Sequence, residues 1–313
     1  MNGPSTSPPH VPVRPLWMQY AHWSRRGEER LDAGLIDRVL DDPGTLICDL
    51  SGQSVGMTRS GDGVLWRRPG PEDRAAVDEM IWLGGDPGRL ARCRAEAAPG
   101  AWHPWREAMT ALGEVDAEAV SIALALGRWH RSNPFCPACG RATARTAAGW
   151  MRSCPGCGAE YYPRTDPVVI MAVLDAEDRI CLVRGHRWSS PVGMSCPAGF
   201  VDAAESLEDA VIREVDEELG LKVVSVAYAG SQPWPAVSQL MVAMVARVES
   251  PELSIDPAEV VAAQWFDREE LAGALRAGEV TLPVSFAAGR WLVEGWLGER
   301  VPDEFSTVYG RVE

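Results

Sequence analysis

Residues 199–221 place an acidic segment between two glycines and read GFVDAAESLEDAVIREVDEELGL. On a helix turning about 100° per residue, Glu214, Glu217 and Glu218 fall within one arc of about 100°. Three carboxylates crowded in this way repel one another, and such a cluster is costly unless a cation lies there. Carboxylate oxygens are ligands that suit Mg²⁺ or Mn²⁺. The segment therefore predicts a divalent-metal site on a helix.

The same segment predicts how that helix is held. Ser206 is a candidate N-cap with Asp209 three residues on, and Gly220 lies where a left-handed C-terminal residue belongs. Gly199 is expected to allow a tight turn before the helix. The apolar positions expected to pack against a sheet are Val211, Ile212, Val215 and Leu219. An isolated acidic run would more often be a solvated surface face, which is the alternative here.

Four of the eight cysteines form two C-x2-C pairs. They are Cys136, Cys139, Cys154 and Cys157, and each pair is followed by a glycine that permits a tight turn. Four thiolates in a tetrahedron make a closed, structural Zn²⁺ site. Two disulfides or a redox pair are the alternatives, and duplicated knuckles disfavour both. The other cysteines are interpreted as core or surface residues.

The chain of 313 residues is long enough for more than one domain. We expect a disordered leader at 1–15, a small α+β N-terminal domain at 16–130, a zinc ribbon at 131–165 and an α/β domain at 166–313. A helix is predicted from Asp116, as N-cap, to Trp129. Strands are predicted at 45–50, 168–174, 180–184, 223–229 and 240–248, and helices at 207–219, 268–275 and 286–297.

Composition bears on location and partners. No signal peptide opens the chain, and no stretch approaches the roughly 20 apolar residues of a membrane span, which predicts a cytoplasmic protein with reduced thiols and no membrane partner. The net charge of −14 repels nucleic acid on average. Several arginines near the cysteine pairs could follow RNA phosphates or could only solvate a surface: Arg128, Arg131, Arg141, Arg145, Arg152 and Arg164.

The spacing of Gly199, Glu205, Arg213-Glu214, Glu217-Glu218 and Gly220-Leu221 resembles the complete Nudix box. The resemblance implies an α/β/α sandwich with a mixed sheet, whose box helix holds metals that bridge a diphosphate while water attacks phosphorus. It implies that Glu214 and Glu218 are metal ligands, with Glu217 a third. Glu205 would orient or add a ligand, Arg213 would pair with a box carboxylate, and Glu217 or Glu218 would be the base.

Three further segments resemble the bacterial NADH pyrophosphatases within that superfamily: WHRSNPFCPACG at 129–140, EYYPRTDP at 160–167 and SQPWP at 231–235. This resemblance implies a homodimer with one structural zinc ion per subunit. It implies cleavage of NAD(H) to NMN(H) and AMP, and in some members removal of NAD caps from RNA 5′ ends.

The family resemblance also assigns substrate contacts. Phe200 is expected to stack on a substrate ring, and Tyr162 to reach the site from the other subunit. Glu259 matches an acidic metal or substrate ligand, the Ala198 carbonyl a metal contact and Ala287 a backbone contact near the C-terminus. The residues expected to line the nucleotide pocket are Gln232, Pro233, Trp234, Pro235, Ala236, Val237, Ser238 and Gln239.

Two departures bear on the substrate. Residues 236–239 are Ala-Val-Ser-Gln where the family continues with Phe-Pro-x-Ser, and Gly149 stands where some members have an acidic residue. The alternative is therefore a broader hydrolase that acts on ADP-ribose, FAD or dinucleoside polyphosphates. An RNA-end binder and a non-catalytic nucleotide sensor are further alternatives, and the intact box argues against the sensor.

Overall fold

The computed structural model describes residues 23–94, 101–186 and 190–307, so the predicted leader at 1–15 lies outside the described residues. The chain falls into two compact units. We call Ala21–Thr165 together with Pro233–Gln239 the N-terminal unit, and Asp166–Gln232 together with Leu240–Glu313 the C-terminal unit. The two units divide the sequence between Thr165 and Asp166, and the segments expected to form the N-terminal domain and the ribbon fall in one unit. The expected domain bounds stay a prediction.

The N-terminal unit contains a five-stranded sheet of order β3-β4-β1-β2-β5, in which β1 and β4 are parallel and the other neighbouring strands are antiparallel. Its strands are β1 (Leu46–Ser51), β2 (Ser54–Met57), β3 (Met80–Gly84), β4 (Arg89–Arg94) and β5 (Ala101–Pro104). Its helices are α1 (Leu35–Asp41), α2 (Pro71–Arg74), α3 (Trp105–Ala111) and α4 (Glu114–Ser132). A second sheet holds β6 (Ala144–Thr146), β7 (Met151–Ser153) and β8 (Glu160–Tyr161).

The predicted helix ending near Trp129 exists, but it begins earlier than expected. α4 starts at Glu114 after Gly113, so the expectation that Asp116 is the N-cap was wrong. Asp116 lies in the first turn, where a carboxylate is favourable near the helix dipole. Its Oδ1 instead accepts a hydrogen bond from Nε1 of Trp66 at 3.1 Å.

The C-terminal unit is built on a sheet of order β12-β13-β9-β10-β14, with β11 paired to β9. The strands are β9 (Asp166–Leu174), β10 (Ile180–Gly185), β11 (Ala198–Phe200), β12 (Val223–Trp234), β13 (Gln239–Val248) and β14 (Val260–Phe266). The helices are α5 (Leu207–Leu219), α6 (Arg268–Ala277) and α7 (Ala288–Leu297). Short 3₁₀ turns lie at Gly27–Glu29, Val77–Glu79, Ala147–Gly149, Pro235–Val237 and Asp303–Phe305.

Central strand β9 is buried on both faces, and its alternate residues enter two different cores. Val169, Met171 and Val173 share one core with the buried face of α5. Ile170, Ala172 and Leu174 share the other with α6 and α7. One sheet between two helical layers confirms the expected α/β/α sandwich.

The strands predicted at 168–174, 180–184, 223–229 and 240–248 lie within β9, β10, β12 and β13, and the helix predicted at 207–219 is α5. Strand β14 escaped prediction because it is an edge strand whose central residues are not buried. Among the described residues, no helix combines the length and apolarity that a bilayer crossing requires.

Candidate active site and zinc centre

Helix α5 is fixed at both ends by the residues expected to cap it. The Ser206 hydroxyl accepts a hydrogen bond from the Asp209 N–H at 3.1 Å, and Gly220 is left-handed at φ 65°. Val211, Val215 and Leu219 are fully buried. Ile212 is 44% exposed, so its expected burial was wrong. The stripe at 211, 215 and 219 already covers the sheet, and Ile212 lies about 100° away from it.

Three carboxylates meet beside the C-terminal half of α5. One oxygen each from Glu214, Glu218 and Glu259 lies within 4.8 Å of the others. Burial, followed by the charges of Glu214 and Glu259, raises the pKa of Glu218 to about 8. Burial is also the first cause of a raised pKa at Glu214. Oε2 of Glu218 is buried and has no hydrogen-bond partner among the described residues.

Glu259 reaches this cluster from a distant part of the sequence. The N–H of Asp256 donates to the carbonyl of Glu218 at 3.3 Å, which fixes the loop before β14 against the end of α5. The Glu259 N–H in turn donates to the Asp256 carbonyl at 3.1 Å. A donor set made only of carboxylates, one with an unpartnered buried oxygen, fits a hard divalent cation.

Arg213 organises the neighbouring carboxylates through all three of its nitrogens. Nε and Nη2 donate to the two oxygens of Glu205, each at 2.8 Å. Nη1 donates to Glu214 at 2.8 Å and to Glu217 at 3.0 Å, and Nη2 also donates to the Phe200 carbonyl at 2.9 Å. Hydrogen bonds from Arg213, and then from the Asp202 N–H, lower the pKa of Glu205 to about 2. Arg213 therefore joins the box carboxylates into one network.

Two predicted metal-site residues lie outside the three-carboxylate cluster. The Glu217 side chain is 51% exposed and is held by Arg213. Glu205 is held by Arg213 and by the N–H of Asp202 at 2.8 Å. The backbone contacts of Asp202 and Asp256 could not be predicted from the sequence, because both depend on how loops fold back onto α5.

Gly199 and its neighbours lie on β11, opposite Val168–Ile170 of β9. Gly199 lies within this strand, and the Glu214 carboxylate packs directly against it, so close approach rather than a turn explains the glycine. Phe200 is 52% exposed at the end of the strand, so a flat ligand could stack on its ring. Ala198 is half-buried on the same strand.

The structure places Gln232 differently from the expectation that it lines a pocket. Its side chain is fully buried, and its amide donates to the Phe286 carbonyl at 2.6 Å and accepts from the Ala288 N–H at 3.0 Å. These bonds fix the chain ahead of α7. Ala287 is the N-cap of α7, and its N–H donates to the Val284 carbonyl at 2.9 Å.

The rest of the predicted pocket segment belongs to the N-terminal unit. Pro233, Pro235, Ser238 and Gln239 help to line a cavity of about 180 Å³, together with residues such as Trp150 and Arg164.

Other members of the segment are held by contacts inside the N-terminal unit. Trp234 packs edge-on against Trp105 with ring centroids 5.2 Å apart. Ala236 is buried, and its carbonyl accepts a hydrogen bond from Arg128 at 2.9 Å. Val237 ends the 3₁₀ turn Pro235–Val237. Tyr162 is 62% exposed, and its hydroxyl donates to Glu160 at 3.3 Å.

The four ribbon cysteines converge as their spacing predicted. All four sulfurs lie within 4.8 Å of one another, and none of the eight cysteines forms a disulfide. The two knuckles match: the N–H of Gly140 donates to the Cys136 carbonyl at 2.8 Å, and that of Gly158 donates to the Cys154 carbonyl at 2.9 Å. Both glycines are left-handed, at φ 74°. Four thiolates without an open position form a structural zinc site.

Comparison with known proteins agrees with this geometry. Residues 164–283 match the family model of the NUDIX domain, and residues 131–162 match that of the NADH pyrophosphatase zinc ribbon domain. The chain is 39% identical over 207 residues to the NAD-capped RNA hydrolase NUDT12 of Homo sapiens, covering 62% of this chain and 45% of that protein. It is 40% identical over 194 residues to the NAD-capped RNA hydrolase NudC of Mycobacterium bovis, covering 59% and 62%.

The chain thus spans less than two thirds of the length of these curated relatives. A solved NUDIX hydrolase from Nitrosomonas europaea is 19% identical, with a TM-score of 0.39, and the match covers 53% of this chain and 94% of that one. The complete box on α5 and the four-cysteine ribbon coincide with the two matched family regions. The chain therefore contains a NUDIX domain at residues 164–283 and a zinc ribbon of the NADH pyrophosphatase type at residues 131–162.

Proposed function

We propose that the protein hydrolyses the diphosphate bond of NAD(H), giving NMN(H) and AMP. The observation that carries the proposal is the cluster of Glu214, Glu218 and Glu259, whose oxygens lie within 4.8 Å of one another. Carboxylates so close are stable together only when protons or cations offset their charge. The names of the relatives, NAD-capped RNA hydrolases, support a substrate that contains NAD.

In this proposal Glu214, Glu218 and Glu259 hold Mg²⁺ or Mn²⁺, with the Ala198 carbonyl and Glu217 as further candidate ligands. The bound cation would polarise the diphosphate and neutralise charge on its oxygens. Arg213 keeps Glu214 and Glu205 in place through charge-assisted hydrogen bonds of 2.8 Å. Its proposed role is positioning, because its guanidinium holds Glu205, Glu214, Glu217 and the Phe200 carbonyl in one network.

The general base is either Glu217 or Glu218. The geometry favours Glu217, because Glu218 is drawn into the carboxylate cluster while the Glu217 side chain remains 51% exposed. A half-exposed carboxylate can take a proton from an attacking water and release it to solvent.

Substrate contacts are proposed at both ends of the dinucleotide. Phe200 is 52% exposed and offers an aromatic face, and Tyr162 is 62% exposed. Tyr162 would act from the second subunit of a homodimer, as in the family. Sedimentation of the purified protein tests this, since a monomer would remove the Tyr162 proposal.

A broader substrate range is the second candidate. Ala236 replaces the aromatic residue of the family, and its buried carbonyl is bonded to Arg128 and Gln53. The loop thus lacks a ring that would select nicotinamide. ADP-ribose, FAD and dinucleoside polyphosphates would then also be cut.

A more specific version of the proposal is that the protein removes NAD caps from RNA. The ribbon arginines give it little support, because most of them donate to groups of the N-terminal unit. Arg131 donates to the Gly52 carbonyl at 2.9 Å, and Arg152 donates to Thr143 at 2.6 Å.

A cytoplasmic location remains a prediction.

One experiment tests the proposal directly. The full chain is incubated with Mg²⁺ or Mn²⁺ and NADH, NAD, ADP-ribose, FAD, diadenosine polyphosphates or NAD-capped RNA, and the products are identified by mass. NMN(H) and AMP are expected from NAD(H), and a Glu218→Gln control should lose about 10²–10³-fold in kcat. Intact dinucleotides after long incubation with either metal would refute the proposal.

A further inference from the structure

A larger cavity is lined only by residues of the N-terminal unit. Its volume is about 470 Å³, and we call it the ribbon cavity. It is lined by residues of segments 30–36 and 77–80 and by ribbon residues of segment 145–153, with Glu160. Its volume falls in the range of small-molecule sites, about 300–1,000 Å³.

Two guanidinium groups of this cavity have no carboxylate partner among the described residues. Arg30 lies over the ring of Trp150, with its Cζ 3.3 Å from the ring centroid, and Nη2 donates weakly to the Arg25 carbonyl at 3.4 Å. Arg145 donates to the Glu79 carbonyl at 2.9 Å. Burial, and then the charge of Arg25, lower the pKa of Arg30. Half-buried guanidinium groups without a carboxylate partner favour a bound anion.

Two residues that line the cavity each carry a buried polar atom without a hydrogen-bond partner among the described residues: Nε of Arg30 and Oγ1 of Thr146. Buried donors are rarely left unpaired, because each one forfeits its hydration. Both residues line the cavity, and an N–H and a hydroxyl are donors from which a phosphate oxygen readily accepts hydrogen bonds.

The ribbon side of the cavity has a strained backbone. Ala147 and Ala148 are both left-handed at φ 49°, which is costly for residues with a side chain, and Gly149 follows at φ 86°. A Cβ at Gly149 would lie 2.9 Å from the carbonyl oxygen of Met80. A side chain at position 149 would therefore not fit without a shift of the backbone of Met80 and Ile81.

We propose that the ribbon cavity binds a small phosphate-bearing molecule of nucleoside monophosphate size, with the phosphate at Arg30, Arg145 and Thr146. Three acidic residues also line the cavity, and their charge disfavours a simple polyanion. Asp32 is already paired with Arg38 at 2.7 Å, and Glu160 accepts a hydrogen bond from Tyr162. In this proposal the carboxylates of Asp78 and Glu160 accept hydrogen bonds from ribose hydroxyls. The cavity volume of about 470 Å³ suits a small molecule better than an RNA chain.

The test measures binding of AMP and of inorganic phosphate to the full, zinc-loaded chain by equilibrium dialysis, without added Mg²⁺ or Mn²⁺. Thr146→Val keeps the shape of the side chain and removes only the hydroxyl, so zinc content and thermal midpoint should not fall. It should weaken AMP binding about fivefold or more. The double variant Arg30→Gln and Arg145→Gln should abolish it. Arg59→Gln, which removes the same charge from an exposed loop of the same unit, should bind as the native chain does.

Binding of AMP that is lost in the cavity variants and kept in Arg59→Gln and Glu218→Gln would support the proposal. Glu218→Gln separates this proposal from the proposed hydrolase function, because that function can be refuted without any effect on AMP binding in the ribbon cavity. Three results would overturn it: no saturable binding of AMP or phosphate at millimolar concentrations, equal binding by all variants, or binding of an RNA oligonucleotide in the absence of AMP binding.

Discussion

Gly199 and Glu214 are in such close contact that a Cβ on Gly199 would lie 1.8 Å from Cδ of Glu214 and 1.9 Å from its Oε1. A Cβ essentially never approaches another heavy atom to within 3.0 Å, so one of the two must move if residue 199 gains a side chain. Glu214 is also held by Arg213 at 2.8 Å and belongs to the three-carboxylate cluster. The glycine thus permits the position of a candidate metal ligand.

The first prediction is that Gly199→Ala lowers kcat by about 10²-fold, because it displaces the Glu214 carboxylate by about an ångström or more. Steady-state hydrolysis of NADH with Mg²⁺ measures this. Gly273→Ala in α6 is the matched control, because no atom lies within 4 Å of its added Cβ. That control should keep its activity and gain about 0.5–1 kcal/mol in stability. Full activity of Gly199→Ala would contradict the assignment of Glu214.

The second prediction concerns stability and pH in protein without added Mg²⁺ or Mn²⁺. Burial and two neighbouring carboxylates raise the pKa of Glu218 from 4.5 to about 8 in the folded state. Between these values the folded state retains a proton that the unfolded state has lost. The free energy of unfolding therefore falls as pH rises from about 5 to about 8, by up to about 1.4 kcal/mol per pH unit.

Glu218→Gln removes this titration, so its denaturation midpoint should vary less with pH over the same window and exceed that of the native chain near pH 8. Added Mg²⁺ should flatten the native profile, because a cation favours the ionised carboxylate. Chemical denaturation at several pH values measures both effects. Parallel profiles of the two proteins would show that Glu218 is ionised in the metal-free fold.

The third prediction is that Arg213→Lys reduces kcat by about 10–100-fold with little change in the fold. A lysine keeps the charge, but it cannot bond both oxygens of Glu205 while also reaching Glu214, Glu217 and the Phe200 carbonyl. Arg247→Lys is the control, because that arginine pairs with Asp178 at 3.1 Å at a half-exposed position. Equal rates for both lysine variants would rule out positioning by Arg213.

The fourth prediction is that Cys139→Ser lowers bound zinc from about one ion per chain to nearly none and lowers the thermal midpoint. Cys139 is exposed, so the loss follows from the missing thiolate and not from a cavity in the core. Cys93→Ala, at a cysteine outside the ribbon, should retain zinc. Elemental analysis of both purified proteins decides the matter, and a full zinc complement in Cys139→Ser would exclude the four-thiolate site.

Much of the site was predictable because its geometry is local. Helix α5 runs from Leu207 to Leu219 as its apolar stripe and capping residues predict. The knuckles of the ribbon repeat the same Cys-x-x-Cys-Gly spacing, and each closes through hydrogen bonds between residues four apart. Family resemblance added Glu259, for which the residues alone gave no indication.

Other features were not predictable from short-range patterns. The sequence predicts that Ile212 belongs to the buried apolar face of α5. Its side chain is 44% exposed, because burial depends on where the sheet lies. The sequence predicts that Gln232 lines a pocket. Its buried amide instead donates a hydrogen bond to the Phe286 carbonyl and accepts one from the Ala288 N–H. Strand β14 has too few buried residues for its alternation to be seen.

Sequence alone was sufficient for the box helix, the zinc knuckles and the presence of a NUDIX domain, because helical periodicity, capping and metal-ligand spacing are set by residues a few positions apart. Tertiary packing was needed to bring Glu259 to Glu218, to press Gly199 against Glu214 and to bury Gln232. Those contacts join distant segments, and their geometry depends on strand register and on loops that fold back across the sheet, which no local pattern encodes.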